Sequence, residues 1–546
     1  MNNNAKIADN IQENGAYATA LPALGGIQGL ATDREAAKAG RLTEFLRRIV
    51  SFPAMLGALL VGGTFASVRA FILDPDVWWH IKDGDTILAT HHWPTTDPYS
   101  FTVFAQPWLA YEWLGDVVMS TAHRIGGLRG LDALLIVVGS AVMIALYCLG
   151  TLRSGNSKAG FAAAVILLLL ARPSFSMRPQ MLGYLFLILT LIALERFRQG
   201  KPRALWFLPL LFLAWINTHG SWEIGLGTIL LYWLSGLVGF QVGGIEAKRW
   251  TPNERKTIGF IFMLSVAATA LTPYGTELAA VPFRIASSVP LSLKYVMEWQ
   301  SMPFGMFGAK IFLGLILAFI ACQVAFRFTW RIEELALFLG GTALACLHVR
   351  FLLVFVPFFT PLLAVILARW MSRYDGAKDL YAINAVLMAI VIVSCVHYFP
   401  STARLEQEVE KSFPVHAVAY LNAHPVPSPM FNEYGLGGYL VWARGPEHKV
   451  FVDGRSELYE WGGALGDYFH ITYLEPGALQ VMKAYGIQSC LLLRAQPLAT
   501  MLSASPEWQR VYSDNLTALY VRRDSRNQIV PVADKSSLPL LQRKGI

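Results

Sequence analysis

Charge is scarce in this chain. Only 15% of its 546 residues are Asp, Glu, Lys or Arg, against 54% that are hydrophobic. A soluble globule could not cover that much apolar surface, and a mean hydropathy of +0.44 points to a polytopic membrane protein. Cysteine is rare as well. Cys148, Cys322, Cys346 and Cys395 lie in apolar runs and Cys490 stands alone near the end, so no zinc or redox spacing exists and all five read as small buried apolar residues. A basic face is also missing. The net charge of +8 is scattered through short loops without interleaved aromatics, which excludes nucleic acid as a partner.

Long apolar runs are what the chain has in quantity. A helix needs about 20 apolar residues to cross the hydrocarbon core. Runs near 50–72, 131–151, 222–240, 257–273, 351–368 and 380–399 meet or approach that length. Shorter ones lie near 179–195, 204–218 and 310–326, with marginal ones at 159–171 and 335–347. Retaining all eleven places Arg153, Lys158, the "ERFRQGKPR" loop, Lys248, Arg249, Arg327, Arg331, Arg369 and Arg373 on one side, as the positive-inside rule requires. The expected organisation follows. Residues 1–44 are a disordered cytoplasmic tail, 45–400 a transmembrane domain with a long first outer loop at 73–130, 401–525 an extracytoplasmic domain, and 526–546 a second disordered tail.

This topology sends the unusual polar stretches to a single face. "LDPDVWWHIKDGD" leaves the first span, and "RPSFSMRPQ", "NTHGSWE", the 274–309 segment and "HVR" emerge beside it. Ionisable groups converging at one face of a bundle suggest a site. Asp74 and Asp76 flank the helix-breaking Pro75, and two carboxylates spaced this way can share a divalent cation or divide acid and base roles. His80 is a third ligand or an interfacial histidine. With Asp74, Asp76 and His80 as donors, a cation held there would be magnesium or manganese, and no other cofactor is expected. Trp78 and Trp79 suit an interface and, with His80, Asp97, Glu112, Asn217, His219 and Glu223, form the candidate substrate pocket. Arg172, Arg178 and Arg350 either grip phosphate with their planar forks or snorkel to the interface.

After residue 400, "SFPVHAVAYLNAH" has helical spacing, and "SPMFNEY" reads as a short strand. "GLGGYLVWAR", "KVFVDGR", "IQSCLLLR" and "LTALYVRR" continue an alternation of helices and strands, which describes a small α/β domain. Asp453, Arg455 and Glu457 follow a strand end, as a ligand site or as a turn with Arg455 paired locally. The fold class is thus an all-α membrane domain of about eleven helices with a small soluble α/β domain.

Taken together, these features resemble the GT-C superfamily of membrane glycosyltransferases. The likeness is nearest to bacterial members with a "DPDVWWHIKDGD…WPTTDPYSFT…WLAYEWLGD" first loop, an "NTHG" turn and a "MFNEYGLGGYLVW…KVFVDGRSELY" tail, over about 50–525. The resemblance implies inverting sugar transfer from a polyprenyl-phosphate or polyprenyl-diphosphate donor to a glycan, lipid or protein acceptor. It places the reaction on the outer leaflet of the bacterial inner membrane, with Asp74 or Asp76 as base or metal ligand. The competing reading is a non-enzymatic transporter or an extracytoplasmic binding or assembly protein. A transporter should carry ionisable residues near mid-membrane, where this chain has almost none.

Overall fold

The computed structural model describes residues 43–70 and 72–523. Apart from Thr43 and Glu44, the two expected disordered tails lie outside the described residues, as do residues 524 and 525 of the expected 401–525 domain. A helix occupies each of the eleven expected apolar segments, from Phe52–Val68 to Tyr381–His397. Among the described residues four helices are long and apolar enough to cross a bilayer unaided: Trp113–Ser154, Gln180–Arg198, Phe307–Phe326 and Val349–Leu367. The number rises to six if each bent pair counts as one span, namely Thr43–Ile49 with Phe52–Val68 and Tyr381–His397 with Thr402–Ser412. Others are short, and Leu208–Ile216 has only 9 residues.

The Trp113–Ser154 helix departs most from expectation. Its 42 residues far exceed the expected 131–151, and it is broken at Gly127, where φ is 58°. At ~1.5 Å per residue it is about twice as long as the hydrocarbon core is thick, so its first turns belong to the 73–130 segment that precedes the expected span. It ends where the sequence dictates. Gly155 takes the left-handed conformation, and the Asn156 side chain then accepts the Lys158 and Ala159 amides to start Ser157–Ala171.

A second helix of the first loop, Val77–Thr90, begins directly after Pro75 and packs along the outer part of Trp113–Ser154. The approach is so close that a Cβ on Gly84 would lie 2.2 Å from the Asp116 carbonyl oxygen. Only glycine permits it, and it brings His80 against Asp116.

The two ends of the bundle carry different chemistry. At one end Arg153 bonds Glu334 at 2.5 Å, Arg331 bonds Glu195 at 2.6 Å, and Arg198 pairs with Glu333. These pairs tie the tail of Gln180–Arg198 to the start of Ile332–Leu347. The opposite ends of the same two helices reach Arg178 and His348.

In the tail, four strands pair in the order Met430–Asn432, Ser489–Leu493, Thr517–Arg522, Trp508–Ser513. The first pair is parallel and the others are antiparallel. "KVFVDGR" is not a strand of that sheet. Val450 instead pairs with the first loop, accepting from the Phe101 amide at 3.1 Å and donating to the Tyr99 carbonyl at 2.9 Å. Trp78 completes the docking by packing edge-on against Phe413 and Tyr439 of the tail. One buried core runs from the bundle through the first loop into the tail, which places tail residues beside the polar end of the bundle.

Candidate functional site

A cavity of about 410 Å³ opens at that polar end. Its walls come from the first loop, from the turns at 178–184 and 216–224, from the 278–299 segment, from 344–354 and from the tail at 454–457. The volume falls within the range of small-molecule sites. One side is apolar, formed by Leu278, Val281, Ile285 and Val289, and the other is densely ionisable.

Arg178 is the hub of the ionisable side. Its Nε lies 2.6 Å from Asp74 Oδ2, its Nη2 2.8 Å from Asp76 Oδ2 and its Nη1 3.2 Å from Glu298 Oε2. Arg350 approaches the other Glu298 oxygen at 3.8 Å and stacks over the Trp299 ring at 4.0 Å. Asp76 stands at the start of Val77–Thr90, where an aspartate normally caps the helix, yet its side chain makes no cap bond and turns to Arg178. Asp74 accepts the Asp76 amide at 3.0 Å and so fixes the exit turn. A residue at 454 with a Cβ would put that carbon 1.7 Å from Asp76 Oδ1, so the bare backbone of Gly454 is what lies against the carboxylate.

Glu112 stands between two imidazoles. His80 Nε2 is 3.7 Å from one of its oxygens and His219 Nε2 3.5 Å from the other, while His80 Nδ1 meets Asp116 Oδ1 at 2.6 Å. Burial, reinforced by Glu457 and partly offset by Arg178, pushes Glu112 up to about 8. Burial likewise raises Asp76 to about 7, opposed by Arg178 and assisted by Asp74. It lowers His80 well below the usual imidazole range and His219 to about 3, with nearby arginines adding to both. For Glu298 burial also pushes upward, but Arg350 and Arg178 outweigh it and hold the carboxyl below its ordinary value. Near neutral pH the site therefore pairs neutral imidazoles and a protonated Glu112 with an Asp76 poised to exchange a proton.

Of the residues expected from sequence, Asp76, Trp79, His80, Glu112, Arg178, His219, Glu223 and Arg350 line the cavity. Asp74 backs Arg178 from outside it. Four others lie elsewhere. Trp78 is in the core against the tail, and Arg172 is exposed at the end of Ser157–Ala171. Asn217 is a structural bracket, accepting from Trp113 Nε1 at 2.7 Å and donating to the Leu213 and Leu271 carbonyls. Asp97 sits in a buried clamp with Arg455. Glu298, Tyr111 and Glu457 line the cavity without having been singled out as pocket residues. A sequence signal existed for Glu298, which is one of just two acids in the 274–309 segment.

The expected metal set is not gathered. Asp74 and Asp76 present their oxygens to the Arg178 guanidinium, so a positive charge already stands between them, and His80 turns both nitrogens to carboxylates. Among the described residues no three His, Cys, Asp or Glu side chains come together as a metal site. These residues do not fit a divalent cation in the arrangement seen.

No protein-family model and no curated protein matches the sequence. Solved structures give looser likenesses. The Archaeoglobus fulgidus oligosaccharyltransferase tethered to an acceptor peptide is similar at TM-score 0.48 and 11% identity, over 86% of this chain and 74% of that one. The oligosaccharyltransferase AglB from the same organism, with an inhibitory peptide and a dolichol-phosphate, scores 0.46 at 10% identity, over 80% and 69%. ArnT from Cupriavidus metallidurans, bound to undecaprenyl phosphate, scores 0.45 at 14% identity, over 86% and 97%. No residue role is carried over from them.

Proposed function

We propose that this protein transfers a sugar from a polyprenyl-phosphate or polyprenyl-diphosphate donor to an acceptor hydroxyl at the outer face of a bacterial inner membrane. The observation that carries the reading is one cavity in which two arginines, a carboxylate near neutrality and an apolar wall meet at the bundle end. The apolar wall suits the first units of a lipid chain, and the arginine forks suit its phosphate. A phosphate entering between Arg178 and Arg350 takes the place now held by the Glu298 carboxylate. Asp76 receives the acceptor's proton as the hydroxyl oxygen bonds to the anomeric carbon. The bond from that carbon to the phosphate oxygen breaks, its electron pair stays on the phosphate, and the arginines offset the added charge. A single displacement inverts the anomeric centre.

The transporter reading finds less support. Apart from this cavity, its neighbour Asp116 and the Asp97–Arg455 clamp, the buried charges described above are the ion pairs at the far end, and the space beside Glu195 and Glu334 is about 20 Å³, room for little more than a water.

Two measurements bear on this reading in the first instance. Arg178→Ala is expected to weaken binding of polyprenyl phosphate to the purified protein by at least about tenfold, the worth of a charge-assisted bond. Arg178→Lys should recover only part, since an ammonium lacks the fork. Wild-type binding by Arg178→Ala would reduce this residue to a structural tie. For topology, a reporter fused after Pro400 is expected to read as exported and one fused within 241–257 as cytoplasmic, following the basic loops. A cytoplasmic signal after Pro400 would overturn the outer-face assignment.

A further inference from the structure

The tail does more than dock. Between Asp453 and Glu460 it touches the first loop at Asp76, Asp97 and Tyr111 and the wall segment at Leu291 and Ser292. Gly454 lays its backbone on the Asp76 carboxylate and accepts the Tyr434 hydroxyl at 3.0 Å. Arg455 is locked to Asp97 of the first loop. Glu460 accepts the Leu291 and Ser292 amides and the Ser292 hydroxyl, which fixes the short helix Pro290–Tyr295 beside the apolar wall. Glu457 lies within this run and faces the cavity, with one oxygen accepting the Tyr111 hydroxyl at 2.9 Å.

Three positions of the run, Gly454, Arg455 and Glu460, are therefore accounted for by packing, and Glu457 faces the cavity instead. A carboxylate only 8% exposed is costly to bury, and apart from its own backbone amide it accepts from the Tyr111 hydroxyl, a cavity-lining group. It stands near Glu112, because it bonds Tyr111, the residue next to Glu112 in the chain, and both glutamates line the same cavity. Two glutamates and a tyrosine thus share one part of the cavity, while Arg178 and Arg350 hold another.

We propose that Glu457 is a specificity residue contributed by the tail, and that with Glu112 it binds the hydroxyl groups of the lipid-linked sugar while the arginines hold the phosphate. The chemistry fits. Carboxylate oxygens accept from ring hydroxyls, and the protonated Glu112 both donates and accepts. A phosphate would be repelled from this end, which fixes the direction in which a glycosylated lipid enters. The inference rests on the donor-lipid reading above and deepens it by naming what recognises the sugar.

The test uses the full-length protein purified from its producing membranes, with retained lipid measured by native mass spectrometry. The quantity read is the ratio of glycosylated to bare polyprenyl phosphate. Glu457→Ala is expected to lower that ratio about tenfold or more while total polyprenyl phosphate stays at the wild-type level. Glu457→Gln retains the shape and a carbonyl for Tyr111, guards against misfolding, and should lower the ratio by less. An unchanged ratio in both variants, or wild type retaining only bare carrier, overturns the inference and leaves the donor-lipid reading standing. A wild-type protein that retains no polyprenyl lipid overturns both.

Discussion

If Asp76 is the general base of the proposed sugar transfer, Asp76→Asn is expected to lower the rate by about a hundred- to ten-thousandfold, the usual consequence of losing such a base. The substitution keeps the side chain's shape and its place beside Arg178 and Gly454, so the protein should still insert and melt as wild type does. The pH profile supplies a second readout. Asp76 acts in its deprotonated form, and burial has raised it to about 7. The rate should therefore climb tenfold per pH unit below about 7 and level off above it, and the residual activity of Asp76→Asn should lack that limb. Asp74→Asn is expected to cost less, because an amide oxygen can still accept the Asp76 amide and hold the exit turn. Near wild-type transfer by Asp76→Asn, or a rate that ignores pH between 5 and 8 (on the order of the expected range), would remove Asp76 from catalysis.

The value of about 7 comes from a balance that can itself be perturbed. Burial raises Asp76, and the Arg178 fork is the main force against it. Arg178→Ala removes that opposition and should shift the acid limb to higher pH, besides weakening the lipid. In the proposed reaction, the base would therefore depend on the residue that also grips the phosphate, which would couple donor binding to proton transfer. In this arrangement an arginine supplies the positive charge that the spacing of Asp74 and Asp76 had led one to expect from a metal.

How far the sequence was legible depends on the range of the interaction. Helices were readable because an apolar run is a local property, and each expected run does contain one. The gathering of Asp76, Glu112, Arg178, His219 and Arg350 was also readable, since loop charge sorts the loops onto faces and these residues come from loops of one face. Partners were not. Asp97 looked like a pocket acid, but its partner Arg455 is far away in sequence, and nothing nearby announces a buried clamp. Asn217 belongs to the same class, a polar residue that serves Trp113 and two carbonyls. The Asp-x-Asp pair shows the opposite error, since its spacing suits a cation yet does not say whether that cation is a metal or a guanidinium. Glu457 was visible as an acid after a strand-like stretch, but only the docking of the tail on the first loop carries it to the cavity.

The docking rests on Arg455, and its removal should have the largest effect on stability of any single change considered. The side chain is wholly buried, with Nη1 2.9 Å from Asp97 Oδ1, Nε 2.9 Å from Asp453 Oδ1 and Nη2 2.6 Å from Asp453 Oδ2. Its guanidinium lies 5.3 Å from the Tyr99 ring centroid and 5.0 Å from that of Trp108, and Tyr459 donates to Asp453 at 2.7 Å. Arg455→Ala leaves two buried carboxylates facing each other without a cation. Breaking a buried pair in this way costs about 3–5 kcal/mol, far above the worth of a surface ion pair. Arg455→Lys should recover part of that through charge alone, because one ammonium cannot serve both acids with a planar fork. Asp97→Ala added to Arg455→Ala should be less harmful than the sum of the two, since it removes one of the stranded charges. Thermal unfolding in detergent, combined with limited proteolysis between 401 and 450, reads all of this. Arg455→Ala that melts with the wild type and resists protease equally would show that the tail is held by its apolar contacts alone, through Trp78 and its aromatic neighbours.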